Sequence, residues 1–330
     1  MSQDVPKPTE QPPVARKRGR FVIAAIVVLL GCLLVASLLL RQVTSMRMNL
    51  DALDQRVETE PYGPSWMHQI GGGFFEPALQ RIVSIRLWDQ SINPELVSRL
   101  SAVANVRHVN VSHSRNVDLL MPSVGRARQL RHLDLARTDV SDEGFAHVAG
   151  LTELESIAIS GTALTDAAFA HLQSLEGLSS LRARAVHVGD EGMRYLATLP
   201  RLASLELSQT AVGDEGMRHL AASPRLEWLE LSQTNVSDAG LRHIARLSRL
   251  EVLRLNGSKV TASGLVELRS MKALVSLSLD GTQLTEAAIE HLAAMPGLTL
   301  HIYSPKVDDA VLQRLTAALP HCDLYDRTDE

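Results

Sequence analysis

A leucine recurs every 24 residues at Leu130, Leu154, Leu178, Leu202, Leu226, Leu250, Leu274 and Leu298, and the same step backwards reaches Val106 and Ile82. This confines the chain to repeat architectures, because a unit this short cannot enclose a core and must bury its apolar face against its neighbours. Each unit opens L-x-x-L-x-L, as in Leu202-Ala203-Ser204-Leu205-Glu206-Leu207. The alternation puts the fourth and sixth positions on one face of a short strand, with the third and fifth on the other. At about 4.8 Å per strand, ten such coils make a parallel sheet about 50 Å long.

The rest of the unit reads as a turn followed by a short helix. Ser114, Thr138, Thr162, Thr210, Thr234, Ser258 and Thr282 share one slot, where a hydroxyl can bond turn backbone; Val186 interrupts that series. An apolar residue follows (Val140, Leu164, Val188, Val212, Val236, Val260, Leu284), then pairs such as Ser141-Asp142, Thr165-Asp166 and Ser237-Asp238. These are helix-entry signals, the hydroxyl capping free N–H groups and the carboxylate meeting the positive end of the helix dipole. Met217 with Leu220, and Leu241 with Ile244, close the core from the helix side.

The pattern L-x-x-L-x-L-x-x-T-x-V-[S/T]-D-x-G-hydrophobic resembles the leucine-rich repeats of bacterial, planctomycete-type proteins, and is similar to the arrays of F-box-type receptors. The resemblance covers about residues 79–325. It implies an α/β leucine-rich-repeat solenoid, a right-handed horseshoe with parallel strands on the concave face and short helices on the convex one. The units at Ile82 and Val106 depart from the pattern, with Asn116 in an apolar slot and Pro122 within the expected helix, and should be irregular. Trp66, Ile70, Phe74 and Phe75 around Gly71-Gly72-Gly73 resemble an N-terminal cap, and Val311, Leu312, Leu315, Leu319 and Leu324 a closing helix and final strand.

Ahead of the repeats, residues 21–40, FVIAAIVVLLGCLLVASLLL, form an uninterrupted apolar run. It is long enough for a helix to cross about 30 Å of hydrocarbon. Arg16, Lys17, Arg18 and Arg20 precede it, which by the positive-inside bias predicts a single-pass membrane protein with a cytoplasmic N-terminus and extracytoplasmic repeats. The run exceeds the core of a cleaved signal peptide. Leu29-Leu30-Gly31-Cys32 resembles a lipobox, yet the eight residues from Leu33 to Leu40, all apolar but Ser37, follow Cys32 where a polar tether is usual. The expected organisation is a disordered basic tail (1–20), the transmembrane helix (21–40), a stalk and linker (41–65) whose helix runs to about Val57, an N-terminal cap (66–81), the repeats (82–303), and a C-terminal cap and tail (304–330).

Several function classes lack a foundation. The net charge of −4 offers no basic field for nucleic acid, and two cysteines, Cys32 and Cys322, make no disulfide framework. His147, His171, His219, His243 and His291 share one helical slot without a recurrent carboxylate or Cys, so repeat consensus outweighs a metal site. The Asp ladder at Asp118, Asp142, Asp166, Asp190, Asp214 and Asp238 is better explained by capping than by calcium. No nucleophile motif, P-loop or dinucleotide fingerprint is present, so neither an enzyme nor a cofactor is expected.

What varies between coils is the outward face of the strands. The third positions are Ser84, His108, His132, Ser156, Ser180, Ser204, Trp228, Val252 and Ser276; the fifth are Arg86, Asn110, Asp134, Ala158, Arg182, Glu206, Glu230, Arg254 and Ser278. Most are small and polar. Trp228, with Glu206, Glu227, Glu230 and Glu251 around it and Arg254 beside them, has the composition of a binding hot spot. Trp88 with Arg86, and Arg182 with Arg184, are secondary candidates. The expected function is binding of a protein or peptide on this face, with carbohydrate also suited to Trp and acidic groups. The rival readings are a structural envelope protein and a degradation adaptor, although no F-box segment precedes the repeats.

Overall fold

The computed structural model describes residues 57–61, 80–100, 106–280, 285–295, 297–303, 309–319 and 322–325. The chain divides into two compact units, residues 1–54 with 61–80 and residues 55–60 with 81–330, and the second contains the repeats. The expected tail, transmembrane run and Trp66-centred cap lie outside the described residues. Among the described residues no helix is long and apolar enough to cross a membrane.

Among the described residues twelve strands form one sheet in strict chain order. β1 (Val57–Pro61) and β2 (Gln80–Arg86) open it. Seven three-residue strands follow at intervals of 24: β3 (His108–Asn110), β4 (His132–Asp134), β5 (Ser156–Ala158), β6 (Ser180–Arg182), β7 (Ser204–Glu206), β8 (Trp228–Glu230) and β9 (Val252–Arg254). β10 (Ser276–Asp280), β11 (Thr299–Tyr303) and β12 (Cys322–Tyr325) close it, with Asp309–Ala318 as the last helix. From β2 onward each strand pairs in parallel with the next, position on position, for example Leu205 with Leu229 and Leu229 with Leu253. The β10–β11 register pairs Ser276 with Thr299, so one residue is lost from the period after Leu298.

The stalk expectation is corrected at its C-terminal end, because Val57 opens a strand rather than ending a helix. Val57 and Thr59 alternate with Glu58 and Glu60, and β-branched residues at period two fit a pleated edge.

Each coil contributes the same apolar layer. Leu202, Leu205 and Leu207 have no exposed surface, nor do Val212 and Leu220, and Met217 is buried with them. The helical side is continuous α-helix at Asp190–Leu196, Asp214–Leu220 and Asp238–Ile244, and α-helix passing into 3-10 helix at Asp142–Gly150 and Asp166–Ser174. The coil after β3 is irregular, as its sequence implies. Asn116 is left-handed at φ 57°, a 3-10 turn covers Val117–Leu119, and Pro122 sits at the start of the helix Met121–Val124, where its missing N–H costs little.

Two polar ladders repeat from coil to coil, the first closing each turn on itself and the second tying neighbouring coils together. In the turn, Thr138, Thr162, Thr210 and Thr234 each donate from Oγ1 at 2.7 Å to the carbonyl three residues back, while Val186 fills the same slot as a buried apolar residue. At the helix entry, the caps form as expected, with Ser141 Oγ accepting from Gly144 N and Thr165 Oγ1 from Ala167 N. The Asp ladder does something further. Asp118 accepts from Ser141 N and Oγ at 3.0 and 2.6 Å, Asp142 from Thr165, Asp214 from Ser237 and Asp238 from Thr261, each carboxylate reaching the cap of the following coil. Asp166 and Asp190 bond the backbone of Gly189 and Gly213 in the same way.

The turn after each strand carries a second period that residue identity conceals. Asp89, His113, Arg137, Gly161, Ala185, Gln209, Gln233 and Gly257 share one slot, and all have φ between 54° and 71°. Their N–H groups extend the sheet ladder, as with Ala185 N to Ser208 O at 2.8 Å, except that Gly257 N donates to Asp280 Oδ2 at 2.6 Å. Only glycine adopts this conformation freely. Ala185→Gly should therefore raise stability by about 0.5–1 kcal/mol, the relief of left-handed strain less the entropy of a more flexible unfolded chain. Thermal melting checks it: a glycine variant that melts at or below the parent would show that the turn is not strained.

Candidate functional site

Because the strands pair in register, third and fifth positions stack into two continuous columns on the outward face. One runs Ser84, His108, His132, Ser156, Ser180, Ser204, Trp228, Val252; the other Arg86, Asn110, Asp134, Ala158, Arg182, Glu206, Glu230, Arg254. The leucines between them point into the core, so the columns contribute little to holding the fold.

Trp228 lies on this face, but it is half-buried rather than open. The Arg254 guanidinium stands over its ring, 5.5 Å from the centroid, and Arg254 Nη1 lies 3.5 Å from Glu230 Oε2. Glu230, expected on an exposed rim, is only 7% exposed, and its Oε1 accepts from Ser232 N at 2.8 Å. The three side chains thus form a closed cluster in which the carboxylate is partly desolvated and the cation covers an indole face. Glu206 is half-buried and accepts weakly from Ser208 Oγ at 3.4 Å, whereas Glu227 and Glu251 are exposed just before β8 and β9.

The secondary candidates separate. Arg182 is exposed on β6, while Arg184 lies in the turn beyond it and donates from Nε to Gln209 Oε1 at 3.2 Å. Gln209 in turn donates to Gln233 Oε1 at 2.7 Å, a side-chain chain across three coils. Trp88 is 62% exposed, the most open large apolar side chain among the described residues, with exposed Arg86 two residues before it on β2.

A concavity lies elsewhere, over β2–β6, as an open groove of about 340 Å³. Its lining includes the exposed His108 and His132, whose rings stack with centroids 4.6 Å apart and planes 13° from parallel. Arg86 and Arg182 stand at its two ends, with Asp134 beside the histidines. Burial and the neighbouring His108 lower the pKa of His132, Glu155 opposes them, and Arg131 adds to the lowering. Arg131 and Glu155 themselves pair at 2.7 Å. Sequence reasoning placed both histidines in the outward column without giving them a role. The available signal was two imidazoles in the same slot of successive coils, which an in-register sheet forces into contact.

On the helix side, His171, His219, His243 and His291 are half-buried and His147 is exposed. Glu215 Oε1 lies 3.7 Å from His219 Nε2 but is held chiefly by Arg218, which keeps its carboxyl below the usual range. Among the described residues no three or more His, Cys, Asp or Glu side chains come together as metal ligands.

Comparisons with known proteins agree on the fold. The Leucine Rich repeat family matches residues 128–145. Among solved structures, an internalin (inlF) of Listeria monocytogenes is similar with a TM-score of 0.53 at 19% identity, over 71% of this chain and 70% of that one. Internalin C2 of the same organism gives 0.48 at 20% identity, over 62% and 83%. No curated protein matches the chain. The fold is a leucine-rich-repeat solenoid.

Proposed function

We propose that this chain is a non-enzymatic interaction protein, anchored in a membrane by residues 21–40, whose outward strand face binds a protein or peptide outside the cytoplasm. The observation that carries it is the contrast on that face. Over an apolar core, columns with Ser84, Ser156, Ser180, Ser204 and Ala158 also display His108, His132, Arg182 and Trp228, and the open Trp88 follows in the turn after β2; the core requires none of these. Leucine-rich repeats generally serve as protein-interaction modules, and the internalin likeness supports that use of the scaffold. The anchor and its orientation rest on the apolar run and the basic residues before it. An anchor in that orientation would put the repeats on the wrong side of the membrane for the F-box-like role of degradation adaptor.

A peptide is favoured over a carbohydrate. A sugar ring packs on an open indole face, and Arg254 occupies that face of Trp228. The test is a benzophenone amino acid in place of Ser180 on the strand face or Arg194 on the helix face, irradiated in the full chain in its native membrane. Heavier protein adducts from position 180 and none from 194 are expected. Adducts from 194 alone would overturn the reading, and adducts containing only this chain would favour a structural envelope protein.

A further inference from the structure

We infer that the groove over β2–β6 takes an acidic peptide segment of a partner protein, about six residues long in extended form, and holds it more tightly as the pH falls below neutral. The inference rests on the strand face being the binding face and names the chemistry of its ligand.

Charge is distributed unevenly along that face. Over β2–β6 the columns present Arg86 and Arg182 with the two imidazoles against one carboxylate, Asp134. Over β7–β9 they present Glu206 and Glu230 with Arg254, and the exposed Glu227 and Glu251 flank them. An anionic segment is attracted to the first region and repelled by the second, which fixes where it lies. Arg86 and Arg182 are four strand spacings apart, about 19 Å, which an extended chain of about six residues covers.

The stacked histidines supply the pH response. With centroids 4.6 Å apart, the rings are close enough that burial and the neighbouring His108 both disfavour the charged form of His132. Facing them are Ser84 and Arg86 from β2, Asn110 on β3, Asp134 on β4 and Ser156 from β5. Arg131 and Glu155, paired with each other beside His132, largely cancel. Among the described residues lining the groove, Asp134 is the carboxylate beside the pair, and its Oδ1 already accepts from Ala136 N at 3.0 Å. A carboxylate from the ligand seated over the rings favours the protonated form, and linkage requires proton uptake to tighten binding in return. A rise of about one unit in the pair's affinity for its proton corresponds to a gain of about tenfold.

The test uses the full chain in detergent and a hexa-aspartate peptide carrying a neutral dye, with hexa-asparagine as the uncharged control, read by fluorescence anisotropy at fixed ionic strength. Hexa-aspartate should bind about tenfold more tightly at pH 5.5 than at pH 7.5, and hexa-asparagine weakly at both. The basic residues at 16–20 also attract the probe, but their charge is constant over this range. His108→Gln with His132→Gln should abolish the pH gain and leave the weaker neutral-pH binding. Arg182→Glu should weaken binding at both pH values, and the thermal melt of each variant confirms that it is folded. Equal binding of the two peptides at pH 5.5, a pH gain that survives in the double histidine variant, or no effect of Arg182→Glu would overturn the inference. Crosslinks from position 180 alongside any of these results would leave the strand face as the binding face and reject only the acidic ligand.

Discussion

Leu229→Asp is expected to abolish the single cooperative melting transition. Leu229 has no exposed surface and sits in β8 between Leu205 and Leu253, which have none either. A carboxylate there meets only aliphatic neighbours above and below, so it must either be buried unpaired or force the two flanking coils apart. Losing the leucine alone costs about 2–5 kcal/mol, and the desolvated charge adds several more. In a solenoid each coil is stabilised mainly by the two it touches, so the lesion divides the array rather than lowering its stability evenly. Circular dichroism should show a broad or two-step loss of structure, with Leu229→Ala retaining one transition about 3 kcal/mol less stable. An unchanged melt for Leu229→Asp would sink the assignment of this position to the core.

The repeat was legible because every coil makes the same decision. A period of 24 with apolar residues at positions one, four and six leaves one consistent way to stack parallel strands, so the outward columns could be read from sequence down to which residues are neighbours. What the letters could not convey was which side chains fold onto one another. Glu230 reads as an exposed charge, yet Arg254 on the next strand reaches its carboxylate while standing over Trp228, two residues earlier on the same strand, and Ser232 N bonds its other oxygen, so its burial comes from neighbours rather than from its own identity. The same holds for the groove, which is lined by Ser84, Ser156 and the imidazole stack together with Arg86 and Arg182, side chains from five successive strands. At Val57 the difficulty was length: the last apolar position of a helical spacing is equally the first of a strand, and Thr59 alone is too little to decide.

The Asp ladder shows a further kind of illegibility, and it yields the second large effect. Read within one coil, Asp214 is a first-turn acid on its own helix, worth well under 1 kcal/mol at an exposed position. Read across coils, its carboxylate accepts from Ser237 N at 2.7 Å and Ser237 Oγ at 2.6 Å, 23 residues on, and so fixes the helix entry of the next coil. Asp214→Ala should therefore cost about 2–3 kcal/mol, the value of charge-assisted bonds plus an orphaned N–H, and appear as a lower melting temperature. Gly240 supplies the check that separates the two readings. A Cβ at Gly240 would stand 2.5 Å from Asp214 Oδ1 and 2.8 Å from Val236 Cγ1, so the glycine makes room for the carboxylate of the coil before it. Gly192 and Gly216 do the same for Asp166 and Asp190, at 2.7 Å each. Gly240→Ala should destabilise the parent protein, and should cost at least 1 kcal/mol less when Asp214 is already alanine, because only the Val236 contact then remains. If the two substitutions prove additive, the carboxylate acts within its own helix and the coils are coupled by their leucines alone.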